Sequence, residues 1–164
     1  MIDLVPLGLG LSPDHAVVVA SDPRWAAAAD VLIAAVSDAL GSLCVGIEHV
    51  GSTAVTGLAA KPILDLAVRL RELPNVSDVI ERLCSLGLEY RGDKRDRGGH
   101  LFVSYSAPGL STAHVHVVTY ADPAWSRYLA FRDLLRRDEG AREAYERAKR
   151  ELAGNHDRPT GVVS

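Results

Sequence analysis

Cysteine is scarce: it occurs twice in 164 residues, as Cys44 and Cys84. Two thiols so far apart make no disulfide framework. Both are read as small buried core residues, in a protein expected in a reducing cytoplasm. Aromatic residues are only 5% of the chain, so the core has to rest on Val, Leu, Ile and Ala. Neither sign of charge dominates, since the formal net charge is -3. That excludes a protein whose main task is to grip extended nucleic acid through its phosphates, while leaving room for a local basic pocket. No uninterrupted apolar run reaches the roughly 18 to 20 residues of a membrane span, so none is expected. Residues 1–10 lack a basic n-region, which argues against a secretory leader. Repeats and low-complexity tracts are also missing.

What is present suits one globular domain. Hydrophobic residues make up 48% of the chain, and a chain of this length hides roughly 70% of its unfolded surface without staples. Residues 1–14 are expected to form a loose arm, 15–153 the domain and 154–164 a flexible tail. A short β-like run covers 15–20. Ser21-Asp22-Pro23 then opens a helix that Gly41 ends. Strands are expected over 43–50, 63–70, 88–91, 101–106 and 113–120, with a helix over 74–86 and a charged turn over 92–99. A helix follows Asp122-Pro123, Gly140 interrupts it, and another runs over 141–152. This order predicts an α/β protein of α+β type, a mixed sheet flanked by helices and closed by C-terminal helices.

The most informative stretch is Glu48-His49-Val50-Gly51-Ser52-Thr53-Ala54-Val55, where a strand gives way to Gly-Ser-Thr. Gly51 lets backbone approach a ligand closely, and the hydroxyls of Ser52 and Thr53 with nearby backbone N–H groups suit a phosphate. An ordinary turn has the same composition. Lys61, just before a strand, is either a point charge for a phosphate or a solvated surface residue. Asp65 lies inside the apolar run Ile63-Leu64-Asp65-Leu66-Ala67-Val68, where a charge needs a cation, a metal or donors beside it. A functional ligand and a structural ion pair both answer that need. In Ala113-His114-Val115-His116-Val117, alternation puts both histidines on one face. They either bind a metal or exchange protons there, or they form a polar sheet face under a loop. Arg132 and Arg136, four apart on one helix face, either reach an anion over the sheet or solubilise the helix.

The same words resemble the GrpB family. The likeness is carried by Ile47 through Val55, by Gly57-Leu58-Ala59-Ala60-Lys61-Pro62-Ile63-Leu64-Asp65, by His114-Val115-His116-Val117-Val118 and by Leu129 through Arg136. Asp22-Pro23-Arg24-Trp25, Tyr145 and Lys149 also fit. The family resembles a branch of the nucleotidyltransferase superfamily. The resemblance implies a nucleotidyltransferase-like mixed sheet, phosphates held by Gly51, Ser52, Thr53, Lys61 and Arg132, and Mg2+ with a nucleoside triphosphate, ATP first, as cofactors. It makes Asp65 the metal ligand. Active members of the superfamily carry a second acid two residues on, where this chain has Ala67. The missing ligand is then sought among Glu48, His49, His114 and His116.

Three functions follow from these residues. The first is an enzyme that transfers a nucleotidyl group to a small-molecule acceptor or adenylates it, with Asp65, His116 and His49 as catalytic candidates. The second is a non-catalytic module on the same fold, binding a nucleotide, an anion or a partner, acting as a homodimer or beside a biosynthetic enzyme. The third is a zinc hydrolase built on His49, His114, His116 and Asp65.

Overall fold

The computed structural model describes residues 2–15, 17–72, 75–95 and 98–156. Helix α1 is Arg24–Leu40. The Asp22 carboxylate accepts from the Arg24 backbone N–H at 2.9 Å, which supplies the expected start signal. The stripe Trp25, Ala28, Ala29, Leu32, Val36 and Leu40 is buried, the spacing of one helix face. By length and composition alone the segment Arg24–Leu43 is apolar enough to cross a membrane, but here that stripe is the centre of the hydrophobic core.

Strand β1 is Cys44–Val50, β2 Leu64–Leu70, helix α2 Val76–Cys84, β3 Leu88–Asp93, β4 His100–Ala107 and β5 Leu110–Thr119. Helices α3, Ala124–Arg137, and α4, Glu139–His156, complete the chain. The five strands form one sheet in the order β1-β2-β5-β4-β3. The β2–β5 pair is parallel and the others are antiparallel, so the expected mixed sheet is present. A parallel pair needs a long crossover, and α2, β3 and β4 supply it.

Each face of the sheet has its own layer. Leu64, Leu66, Val68 and Leu70 of β2 are fully buried against α1 and α2, each contributing about 1.5–3 kcal/mol. On the opposite face Ala67 packs with Val50, Val118, Ala124 and Trp125 under α3. That cover ends short of Asp65 and His114, which stay partly open, whereas His116 lies under Tyr128 of α3.

Several expectations are corrected. The arm 1–14 is not loose over its described length, because Leu4 and Leu9 are buried in the core and Gly10 N–H donates to the Pro62 carbonyl at 2.8 Å. The β-like run at 15–20 reduces to a single bridge between Val19 and Ala60. Gly140 lies inside α4. The break is at Asp138, whose backbone is extended and whose carboxylate accepts from the Ala141 N–H at 3.0 Å. The tail is helical from Gly154 to His156, and 157–164 lie outside the described residues, as do Asp96 and Arg97 of the charged turn. Cys84 is exposed, because the buried stripe of α2 is Val79 and Leu83 and the next position turns outward.

Candidate functional site

Register builds the site. Val50 of β1, Asp65 of β2 and His114 of β5 are direct neighbours in one row, and paired residues share a face. The next row on that face is Glu48, Ala67 and His116. Asp65 Oδ1 lies 3.0 Å from His116 Nε2 and 3.8 Å from His114 Nδ1. One ligand atom from each of the three falls within 4.8 Å of the others. Asp65 thus meets the need of a carboxylate in an apolar strand with imidazoles and partial solvation. Burial holds the His114 imidazole below its usual value against the opposing pull of Asp65. Tyr128 of α3 lies over His116, ring centroids 5.2 Å apart. Burial, helped by the negative charges of Asp65 and Asp122, pushes its hydroxyl up to about 12.

Gly51 touches a group of the protein itself. A Cβ there would lie 2.7 Å from Asp65 Oδ2, and the backbone φ is +72°. The turn that follows buries Ser52. Its hydroxyl donates to Tyr145 Oη at 3.2 Å and accepts from Lys149 Nζ at 3.0 Å. Ser52, Thr53, Lys61, Ile63, Asp65, His114 and Lys149 line a cleft of about 110 Å³. Lys61 and Lys149 also line an adjoining groove of about 340 Å³, with Pro13, His15, Val18, Leu152 and Ala153. The two lysines therefore stand where the two spaces meet.

Four candidates are placed elsewhere. Arg132 is buried, donating to Glu48 Oε2 at 2.8 Å and to the His49 carbonyl at 3.1 Å, so its guanidinium ties α3 to β1 and is not offered to a phosphate. Glu48 is held by the same pair and stands outside the Asp65–His114–His116 group. His49 pairs in register with Leu66 and so belongs to the other face of the sheet from Asp65. Its Nε2 shares a hydrogen bond with Thr53 Oγ1 at 2.9 Å, and burial pushes its imidazole down to about 4. It props the turn and is not among the clustered ligands. Arg136 likewise donates to the Ala54 carbonyl, at 2.8 and 3.0 Å.

Lys149 and Tyr145 were not singled out as site residues from the sequence. Their signals were the fit to the GrpB pattern and the i, i+4 spacing that places both on one helix face. Nothing in α4 says which part of the sheet that face meets.

A profile of GrpB proteins matches residues 15–161. The chain belongs to the GrpB family. It resembles a UPF0157 protein of Streptomyces coelicolor at 40% identity over 131 residues, covering 80% of this chain and 67% of the relative. The crystal structure of conserved protein GrpB from Enterococcus faecalis superimposes with a TM-score of 0.78 at 30% identity, covering 90% of this chain and 87% of that one. A dephospho-CoA kinase of Mycolicibacterium paratuberculosis is 31% identical over 157 residues, covering 81% of this chain and 38% of the kinase. The chain thus spans between 38% and 67% of the length of these two curated relatives.

Proposed function

We propose that this GrpB protein binds a nucleoside triphosphate and transfers its nucleotidyl group to a small-molecule acceptor in the cytoplasm. The observation that carries the reading is the convergence of Lys61, Lys149 and Ser52 on the cleft floored by Asp65. Two ammonium groups and a buried hydroxyl suit a polyphosphate. The volumes agree with such an occupant. The inner cleft of about 110 Å³ has room for phosphate groups but not for a whole nucleotide, whereas the adjoining groove of about 340 Å³ reaches the size range of small-molecule pockets. With phosphates between the lysines, the nucleoside lies in that groove, toward Val18 and Leu152. In the transfer the acceptor oxygen bonds to the α-phosphorus, the bond to the β-bridging oxygen breaks, and pyrophosphate leaves with the electron pair. Lys61 and Lys149 offset the charge that develops on it. The acceptor's proton passes to solvent.

The chemistry of the donors does not fit Mg2+. That ion takes oxygen ligands, through one or two carboxylates plus substrate phosphates. The one carboxylate here falls within that range, but its near oxygen faces two imidazoles, nitrogen donors that suit zinc and its neighbours rather than Mg2+.

Calorimetry with ATP tests the proposal. Binding to one site is expected, weakened at least about tenfold in both Lys61→Ala and Lys149→Ala, a loss of roughly 1.4 kcal/mol or more. Absence of binding heat at millimolar ATP from the native chain would discard it.

One observation favours a second reading, a binding module accessory to another enzyme. Ala67 stands where the superfamily's second acid is expected, fully buried beside Trp125 in an apolar cluster. The related stretch within a dephospho-CoA kinase agrees with an accessory part. Triphosphate turnover that depends on Asp65 would count against this reading.

A further inference from the structure

We infer that Asp65, His114 and His116 form a binding site for a divalent first-row transition ion of the Zn2+ class, held without any nucleotide and with one coordination position open toward the lysine-lined cleft. Only the last clause rests on the nucleotide reading.

The donor set carries the argument. Imidazole nitrogens and a carboxylate oxygen suit zinc and its neighbours, and two histidines with one acid leave room for an outside ligand. His116 Nε2 is hydrogen-bonded to Asp65 Oδ1 at 3.0 Å. His114 Nδ1 faces the same oxygen from 3.8 Å, too far for a hydrogen bond, and the His114 imidazole makes no hydrogen bond among the described residues. Two nitrogens directed at one oxygen, with a gap beside one of them, is the arrangement an ion would close. Ligand atoms around zinc at about 2.0–2.2 Å lie roughly 3.3–3.5 Å apart, so small side-chain rotations suffice.

The ligands are also preorganised. They stand on two strands paired in register, and the His116 ring is covered by Tyr128, the kind of rigid support a metal site requires. Among the described residues no fourth ligand joins the group, and Glu48 is paired with Arg132. A dication balanced by a single carboxylate, with Lys61 and Lys149 nearby, leaves an excess of positive charge that an anionic oxygen would complete.

The test uses the full chain freed of metal by a chelator, with no nucleotide present. About one equivalent of Zn2+ should stay bound through gel filtration. Co2+ in its place should give visible absorption bands typical of nitrogen and oxygen ligands, and millimolar Mg2+ should not displace it. His114→Ala and His116→Ala should each weaken binding at least about tenfold while unfolding at denaturant concentrations close to native. Asp65→Asn serves as a third variant if either histidine variant fails to fold. The inference is overturned if the folded native chain retains no stoichiometric Zn2+, if Mg2+ displaces Co2+, or if the variants bind as well as native. Failure here with intact ATP binding removes the metal site alone. Intact metal binding without ATP heat removes the nucleotide reading alone.

Discussion

Substitution of Gly51 by alanine tests the link between the Gly-Ser turn and the carboxylate. Gly51 has φ +72° and ψ −172°, a region populated almost only by glycine, and forcing another residue there costs about 1–3 kcal/mol. The new methyl would also lie 2.7 Å from Asp65 Oδ2 and 3.1 Å from Asp65 Cβ. The carboxylate can rotate, but the Cβ is fixed to β2, an interior strand, so overpacking adds about 1–3 kcal/mol more. The total is on the order of 2–6 kcal/mol, or roughly a 10 °C fall in Tm for a domain of this size. Gly57→Ala is the matched control. Its φ is +83° and no heavy atom lies within 4 Å of the added Cβ, so it carries only the backbone cost, about 1–3 kcal/mol. Urea unfolding of both variants, read at unchanged m-value, gives the difference due to contact with Asp65. Equal losses in the two variants would refute the reasoning, because the carboxylate would then have no part in requiring glycine.

Two further outcomes are expected. Arg132→Met keeps an apolar stem but removes the donors to Glu48 and to the His49 carbonyl, so stability should fall by about 1–3 kcal/mol. Glu48→Gln, at a half-exposed carboxylate, should cost less than about 1 kcal/mol, and the opposite ranking in thermal melts would show that Arg132 is not the anchor of α3. His49 is pushed down to about 4 by burial, whereas an unfolded histidine titrates near about 6.5. Between those values the unfolded chain binds more protons. The stability present above pH 6.5 is therefore lost on acidification, by about 2 kcal/mol between pH 7 and pH 5. His49→Gln, which does not titrate, should lose correspondingly less over that interval in urea midpoints. Parallel losses in the two proteins would refute the assignment.

Much of the site was legible in local pattern. Alternation alone separates Leu64, Leu66 and Val68 from Asp65, and puts His114 and His116 together, because the pleat is a property of each strand by itself. The same alternation separates Glu48 from His49, although both had been grouped as ligand candidates. The spacing of Arg132 shows only which helix face it occupies and leaves an anion site and a solvated face both open. Besides the neighbouring Asp133, its acceptors are a carboxylate and a carbonyl of β1, far away in sequence.

The sequence by itself determined the elements: where α1 begins and stops, which face of each strand is apolar, and that one acid and two histidines stand within the apolar runs 63–68 and 113–118. These follow from capping chemistry and from periods of 2.0 and 3.6 residues. Only the tertiary structure decided that β2 and β5 pair in parallel with Asp65 beside His114, that Lys149 reaches Ser52, and that residues 2–11 fold onto the core. Register and docking are chosen by how all the apolar faces bury at once, and no single stretch of chain contains that sum.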